Sequence, residues 1–255
     1  MALDGTGAGH RITLIATGIN SGFAGGVNRG LAHLAADPEI DRFWVLNPDC
    51  ATPPDTPARL ATAPGDFALM GNRIILLDDP DMIQIDGGRI NWTTGITSNL
   101  NTLRDPATTP PPAPTAMDFI SGASMVASRA FYESVGPLRE DYFLYYEEVD
   151  WALRRTAPLA WAADAPVYHK GGASIGSRTQ RQRASALSLY FIHRARLMFL
   201  WRFRRRSVPG GLAYSLAKAA QLAIDRDFAG AGALLRGSLR MRPPRAVRAR
   251  LGRTA

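Results

Sequence analysis

The chain has 255 residues, 46% of them apolar, which is enough for one large domain or for one domain with a helical appendage. Its single cysteine excludes an intramolecular disulfide framework. The sequence contains no run of 18 uninterrupted apolar residues of the kind that forms a membrane-spanning helix. Residues 1–10 lack the charged segment and apolar core of an export signal. We therefore expect a globular cytoplasmic protein.

Charge is distributed unequally along the chain. Residues 1–177 carry 12 Lys and Arg against 20 Asp and Glu, whereas residues 178–255 carry 18 against 2. The net charges of the two parts are therefore −8 and +16. A basic tail on an acidic body predicts an anionic partner, either a phospholipid surface or nucleic acid.

The first predicted strand covers residues 11–17 and leads into a glycine-rich turn at 20–30, which opens an amphipathic helix through Leu31 and Leu34. Backbone amides at the start of such a helix can hold a phosphate group. A glycine-rich turn has a purely structural role about as often, so this pattern alone leaves both interpretations open.

A second predicted strand, residues 43–46, places Asn47-Pro48-Asp49 at its carboxyl end, the edge where α/β sheets bind ligands. Asp49 is therefore the notable residue of this segment, although a carboxylate beside Pro48 can be a simple turn former. Cys50 is predicted to be a packing residue, because a lone thiol is more often buried than nucleophilic.

The middle of the chain offers little chemistry. Strands are predicted at 73–77 and 82–85, a hairpin signal follows at 86–88, and residues 91–116 form a proline-rich loop. The aspartates of this region are predicted to be turn residues, because they stand near proline and glycine. They are Asp78, Asp79, Asp81 and Asp86.

The most informative stretch is 118–155, which combines small residues at 121–124, an aromatic run at 142–146 and three carboxylates that open a predicted helix. A helix cap with a solvated acidic face explains the carboxylates, since the macrodipole favours acids in the first turn. The aromatic run favours a second interpretation. A buried carboxylate acting as a general base needs apolar walls that raise its proton affinity.

A later strand, 160–168, ends at His169, and a basic amphipathic helix is predicted at 181–206, with two further helices at 210–224 and 228–240. The basic helix is too charged to span a bilayer, but it suits the headgroup region of an anionic membrane. Packing of this helix against its own domain explains the same pattern equally well.

These motifs together resemble the family 2 glycosyltransferases of the rhamnosyltransferase-like kind. The stretch 118–155 is similar to their acceptor-side signature, residues 20–30 to their N-x-G-F-A-G-G-x-N-x-G motif, and residues 46–49 to their L-N-P-D motif. The resemblance implies an α/β fold of the GT-A kind, with a mixed sheet flanked by helices. It assigns residues 1–178 to the catalytic domain and residues 179–255 to a basic helical C-terminal region.

The resemblance also implies a role for each motif residue. Glu148 is the expected general base, Glu147 is the reserve candidate, and Asp150 orients the acceptor and the helix. Mg²⁺ or Mn²⁺ is expected to lie between Asp49 and His169. The residues expected to bind the donor are Asn20, Gly25, Gly26, Asn28, Arg29 and Asn47, and those expected to bind the acceptor are Gly122, Tyr146 and Trp151.

The implied reaction is inverting transfer of a sugar, such as rhamnose or another deoxyhexose, from a nucleotide-diphosphate sugar to a glycan or lipid-linked acceptor in cell-surface polysaccharide biosynthesis. The helix at 181–206 would hold the protein peripherally on the cytoplasmic face of the inner membrane. No nucleic acid partner is expected from the resemblance.

Family members begin with a strand, a helix and a strand that hold the nucleobase, whereas the resemblance here starts at about Arg11. We therefore expect an N-terminally incomplete catalytic domain. Two other classes remain open. A sugar nucleotidyltransferase would need a basic residue near the glycine-rich turn, where Arg29 is available. A catalytically inactive relic would act as a basic protein that binds membranes or nucleic acid.

Overall fold

The computed structural model describes residues 2–3, 11–63, 65–170 and 184–251. The strands are β1 Ala2–Leu3, β2 Ile12–Thr13, β3 Arg42–Leu46, β4 Cys50–Ala51, β5 Leu69–Leu76, β6 Asp79–Ile85, β7 Gly88–Ile90, β8 Thr97–Asn99, β9 Ser124–Ser128 and β10 Leu159–His169. The helices are α1 Gly22–Ala35, α2 Thr56–Thr62, α3 Arg129–Val135, α4 Glu147–Leu153, α5 Ala186–Phe203, α6 Val208–Ile224, α7 Phe228–Ser238 and α8 Arg245–Leu251.

The core of the fold is a six-stranded mixed sheet with the strand order β3-β9-β5-β10-β4 and with β6 paired to the second half of β5. Strand β10 is parallel to β5, and the other pairs are antiparallel. Six of the eight residues of β5 are buried, on both faces of the strand, which is typical of a central strand that is covered on both sides. The predicted mixed α/β architecture with helices around the sheet and at the C-terminus is confirmed.

The strand predicted at 11–17 is wrong in extent and place. Only Ile12–Thr13 is extended, and it pairs with Ala2–Leu3 outside the six-stranded sheet. Ile12, Leu14 and Ile15 are 54%, 58% and 40% exposed. β propensity reflects packing against neighbouring strands, so a β-rich run without a place in the sheet does not become a core strand.

Helix α1 begins earlier than the glycine-rich pattern predicts, because most of residues 20–30 are helical rather than a turn. Gly22 has φ +77°, and a Cβ there would lie 2.1 Å from the carbonyl oxygen of Phe143. That carbonyl accepts a hydrogen bond from the amide of Phe23 at 3.0 Å. Glycine is therefore required at the start of α1, where the aromatic run packs against the helix.

Helix α5 is an interior helix and not the membrane-surface helix that its composition also allowed. Among its buried residues, Phe199 and Leu200 have no exposed surface, and Arg196 is 1% exposed. Arg196 donates from Nη2 to the Gly211 carbonyl at 3.0 Å and to Ser215 Oγ at 2.6 Å. The alternative of a helix packed on its own domain is therefore the one that the structure shows.

The arginines of α5 meet acidic groups of the body of the protein. Arg202 forms an ion pair with Asp141 and lies 4.7 Å from the centre of the Tyr142 ring, while Arg194 donates to the Asp141 carbonyl at 2.9 Å. Part of the basic C-terminal charge is thus neutralised within the chain.

No helix in the described ranges is long and apolar enough to cross a membrane. The domain boundary predicted at 178 lies outside those ranges.

Asp86 is a buried ion-pair residue rather than a simple turn former. It has no exposed surface and accepts hydrogen bonds from Arg73 Nε at 3.1 Å, Arg73 Nη2 at 2.7 Å and Asn101 Nδ2 at 2.9 Å. These bonds join β5, the end of β6 and the turn after β8.

We expect Asp86→Ala to lower the free energy of unfolding by about 3–5 kcal/mol, because the Arg73 guanidinium stays buried without its carboxylate. Urea unfolding followed by circular dichroism measures this loss. The exposed Asp81, replaced by Ala, is the matched control and should change the free energy by less than about 0.5 kcal/mol. Equal effects of the two substitutions would contradict the assigned role of Asp86.

Candidate active site

Three potential metal ligands meet where β4 pairs with the end of β10. A carboxylate oxygen of Asp49, the Cys50 sulfur and an imidazole nitrogen of His169 all lie within 4.8 Å of one another. Cys50 stands directly opposite His169 in the antiparallel ladder, and the amide of Lys170 donates to the Asp49 carbonyl at 3.1 Å. Sheet pairing therefore fixes the backbone that carries all three side chains.

The orientation of His169 fits a cation. Its Nδ1 lies 2.9 Å from Gln84 Oε1, so a proton on Nδ1 would be donated to Gln84, and in that tautomer the lone pair of Nε2 would face away from Gln84. Nε2 lies 3.1 Å from Asp49 Oδ1, a separation that either a proton on Nε2 or a cation between the two atoms accounts for. A carboxylate and an imidazole held by an outer hydrogen bond form a donor set that divalent cations accept.

Glu148 is linked to this cluster through the small-residue turn at 121–124. A Cβ at Gly122 would lie at an ordinary contact distance of 3.7 Å from Glu148 Cβ and only 3.2 Å from the Phe23 ring, so Gly122 adjoins Glu148 and leaves room for Phe23 of α1. The next residue, Ala123, accepts hydrogen bonds from the Asn47 amide at 3.0 Å and from the Cys50 sulfur at 3.5 Å. One short turn therefore contacts both the carboxylate helix and the metal-ligand cluster.

Burial changes the proton affinity of the adjacent carboxyl groups. It raises the pKa of Glu148 to about 7, although hydrogen bonds from the amides of Glu148 and Val149 oppose the rise. Burial also raises the pKa of Glu147 well above its usual value, and the nearby Glu148 charge adds to this effect. Glu147 is 1% exposed, and its Oε1 has no hydrogen-bond partner among the described residues. Near neutral pH, the pair therefore retains a proton.

The aromatic run upstream of α4 anchors a strained backbone. Phe143, Tyr145 and Tyr146 all have φ near +70°, which is rare for bulky residues and costs on the order of 1–3 kcal/mol each. Tyr145 donates to Ser188 Oγ at 3.1 Å, and Tyr146 donates to the Gly95 carbonyl at 2.7 Å. These contacts fix the turn that precedes α4 and therefore the orientation of the first residues of that helix.

Asp150 has an orienting role, because the protein itself surrounds its carboxylate with donors. It is fully buried and accepts hydrogen bonds from Tyr142 at 3.0 Å and from Arg154 Nε at 2.9 Å, while Arg139 Nε lies 3.4 Å away. A carboxylate held in this way stabilises the segment that enters α4. It is not presented to a reacting hydroxyl group.

Two of the residues expected to contact the acceptor are core residues. Trp151 has no exposed surface, and its indole N–H donates to the Gly136 carbonyl at 2.9 Å. Tyr146 is 5% exposed, and its hydroxyl donates a hydrogen bond to the Gly95 carbonyl. The spacing explains the first case, since Trp151 lies four residues after the buried Glu147 on the same face of α4. The third, Gly122, adjoins Glu148, since a Cβ there would lie 3.7 Å from Glu148 Cβ.

The residues expected to bind the donor are divided in the same way. Asn47 lies at the cluster, with Nδ2 3.5 Å from His169 Nε2. Asn28 is buried in α1, where it donates to the Leu138 carbonyl and to Glu140 Oε1, both at 2.9 Å, and accepts from the Leu138 amide at 3.0 Å. Its amide therefore connects α1 to the segment before α4 and is not available to a ligand.

The remaining donor candidates belong to α1 or to its start. Asn20 Oδ1 accepts a hydrogen bond from the Gly22 amide at 3.1 Å. Gly25 is buried, and a Cβ added at this position would lie 2.3 Å from Ser21 Oγ. Gly26 and Arg29 are exposed on the helix. Sequence analysis missed Gln84, which lies in an ordinary strand, and it assigned Cys50 to packing.

Burial and the Asp49 charge raise the pKa of the Cys50 thiol to about 11, so the thiol is neutral near pH 7 when no cation is bound.

Comparison with known proteins supports a glycosyltransferase. No protein-family model matches the chain. Two proteins of Mycobacterium tuberculosis, from strains CDC 1551 / Oshkosh and ATCC 25618 / H37Rv, are each 28% identical to it over 213 residues. Both are described as N-acetylglucosaminyl-diphospho-decaprenol L-rhamnosyltransferase, and the similarity covers 74% of this chain and 66% of each relative. The chain thus spans just under two thirds of the length of these relatives.

The raised pKa of Glu148 predicts a pH-dependent effect of its replacement on stability. A carboxyl group whose pKa is raised by folding destabilises the native state as the pH rises from about 4.5, the unfolded value, towards 7. We therefore expect Glu148→Gln to stabilise the protein by on the order of 1–2 kcal/mol at pH 8 and to have little effect at pH 5.

Chemical unfolding at the two pH values measures this difference. Glu39→Gln, at an exposed position, is the control and should give the same small change at both. A Glu148→Gln effect that is independent of pH would show that folding does not raise the proton affinity of Glu148.

Proposed function

We propose that the chain is an inverting glycosyltransferase that moves a sugar from a nucleotide-diphosphate sugar to a hydroxyl group of a lipid-linked or glycan acceptor. The observation that supports this most strongly is the turn at 121–124. Gly122 of this turn adjoins Glu148, whose pKa is raised to about 7, and the Ala123 carbonyl accepts hydrogen bonds from Asn47 and Cys50 of the metal-ligand cluster. A single displacement at a sugar-diphosphate carbon requires a proton acceptor for the attacking hydroxyl group and positive charge at the leaving group.

Glu148 is the proton acceptor in this mechanism. Its pKa near 7 allows it to be ionised at neutral pH while it stays basic enough to take a proton from a hydroxyl group. The acceptor oxygen then attacks the anomeric carbon, the bond to the diphosphate oxygen breaks, and the configuration inverts. No covalent sugar intermediate forms on the protein. Glu147, buried beside the base, keeps its proton and does not compete for the acceptor.

The cluster has the second role, at the leaving group. Asp49 and His169 would hold Mg²⁺ or Mn²⁺, which neutralises the negative charge that develops on the departing diphosphate. Gln84 orients the imidazole through Nδ1, and Asn47 places an amide donor beside Nε2. The exposed Arg29 on α1 does not join this group, so no observation favours nucleotidyl transfer.

The acceptor class follows from the relatives. Their description names a decaprenol diphosphate that carries N-acetylglucosamine and an L-rhamnosyl group that is transferred. A sugar linked to a polyprenyl diphosphate is accordingly the proposed acceptor, and a rhamnose nucleotide is the proposed donor. Such an acceptor lies in a membrane, so the protein works at a membrane surface on the cytoplasmic side.

Exposed residues of the C-terminal helices, rather than the buried body of α5, supply this membrane contact. Leu216, Ile224 and Phe228 are 62%, 81% and 70% exposed, and Trp201 at the end of α5 is 56% exposed. The exposed arginines that can bind lipid phosphates include Arg205, next to Trp201.

Glu148→Gln tests the proposed role of the base. We expect it to lower kcat by about 10²- to 10⁴-fold, because the amide cannot accept the acceptor proton. The dissociation constant of the nucleotide sugar should stay unchanged, since the metal cluster is intact. Mass spectrometry of the glycosylated polyprenyl diphosphate measures turnover, and calorimetry measures donor binding.

Glu133→Gln, at an exposed position of α3, is the matched control and should retain the rate of the unaltered protein. Normal turnover by Glu148→Gln would remove Glu148 from this role. Loss of donor binding in that variant would instead indicate a structural effect.

A further inference from the structure

Cys50 is part of the cation site by geometry, and the proposed mechanism gives it no task. It is the residue opposite His169 in the antiparallel pairing of β4 and β10, and opposite residues in such a ladder project from the same face of the sheet. Its sulfur lies within 4.8 Å of ligand atoms of both Asp49 and His169. The contact of the sulfur with the protein is a weak hydrogen bond to the Ala123 carbonyl, at 3.5 Å.

The chemistry of the three side chains differs from that of a site made for a hard cation alone. Mg²⁺ prefers oxygen ligands in a near-octahedral arrangement and keeps several waters. One carboxylate, one imidazole and one thiolate are the ligands that Zn²⁺ and Co²⁺ accept in tetrahedral sites. A thiolate in this position would therefore change which cation is held most tightly.

We propose that Cys50 is a third protein ligand of the cation site and makes the site selective for thiophilic divalent cations such as Zn²⁺ and Co²⁺ over Mg²⁺. The proposal deepens the proposed function, because it concerns the cation of the same site, but it does not depend on sugar transfer. When such a cation binds, the S–H bond breaks, a metal–sulfur bond forms, and the proton leaves to solvent. Neither an oxidant nor a reductant is involved.

The fold holds the three ligands without rearrangement of the backbone. The Lys170 amide donates to the Asp49 carbonyl, and the Leu77 amide donates to the His169 carbonyl, so both ligand-bearing strand ends are tied to their neighbours. Gln84 Oε1 lies where it would accept a proton from Nδ1, and Nε2 faces Asp49 on the other side of the ring, where it would meet a metal. The fourth position of a tetrahedral site remains for a diphosphate oxygen or water.

Titration of the metal-free full-length chain with Co²⁺ tests this proposal. Cys50 is the only cysteine of the chain, so any thiolate-to-cobalt charge-transfer band in the near ultraviolet arises from this residue. We expect the band, together with the intense visible bands of tetrahedral Co²⁺, at one equivalent of metal. Release of a proton on binding should accompany the band.

Cys50→Ser provides the decisive comparison. We expect it to abolish the charge-transfer band and to lower the affinity for Zn²⁺, relative to that for Mg²⁺, by at least about tenfold. His169→Gln should weaken Zn²⁺ binding as well, whereas Asp81→Asn, at an exposed position of β6, should not change it. Circular dichroism of each variant confirms that it is folded.

A tetrahedral Co²⁺ spectrum without the charge-transfer band would overturn the proposal, as would equal selectivity in Cys50→Ser and the unaltered chain. These outcomes are independent of the activity of Glu148→Gln. If the protein does not transfer a sugar, the cobalt titration still decides whether Cys50 binds the metal. If the thiolate band is absent, the proposed transfer reaction is not affected by that result.

Discussion

The candidate site depends on close approach at one turn, residues 121–124. A Cβ at Gly122 would crowd the Phe23 ring at 3.2 Å and contact Glu148 Cβ at 3.7 Å, and the carbonyl of the following Ala123 accepts hydrogen bonds from Asn47 and Cys50. Because this turn leads into β9, the central sheet fixes its position. The turn therefore contacts both Glu148 and the segment that carries Asn47 and Cys50, the two groups of residues that the proposed displacement reaction uses.

A second constraint is electrostatic, and it concerns how the helix that carries Glu148 is supported. Asp150 is surrounded by Tyr142, Arg139 and Arg154, and Arg202 of α5 approaches it at 4.0 Å while also pairing with Asp141. Part of the basic C-terminal charge therefore stabilises the acidic segment before α4. Among the described residues, no arginine or lysine forms an ion pair with Glu147 or Glu148. Burial raises the pKa of both carboxyl groups, and the Glu148 charge adds to the rise at Glu147.

Sequence analysis predicted those parts of the fold that local signals determine. Strand β3 with Asp49 after it and helix α4 opening at Glu147 were found correctly, since a short β-rich run and an acidic first turn are strong local patterns. The start of α1 and the burial of α5 depend on contacts with Phe143 and Tyr146, which are distant in sequence. The core position of Trp151 could have been predicted from the sequence, because Trp151 follows Glu147 by four residues and so lies on the same face of the helix. Gln84 and Cys50 gave no local signal of their roles, because only strand pairing brings them to His169.

The most direct test of the central claim is a crystal structure with Mn²⁺ and a nucleoside diphosphate bound, with anomalous scattering used to locate the cation. We expect a single anomalous peak between Asp49 and His169, a diphosphate oxygen on that peak, and the Glu148 carboxylate across the same cleft with room for a hydroxyl group between them. An anomalous peak elsewhere, or protein atoms separating Glu148 from the diphosphate, would contradict the account.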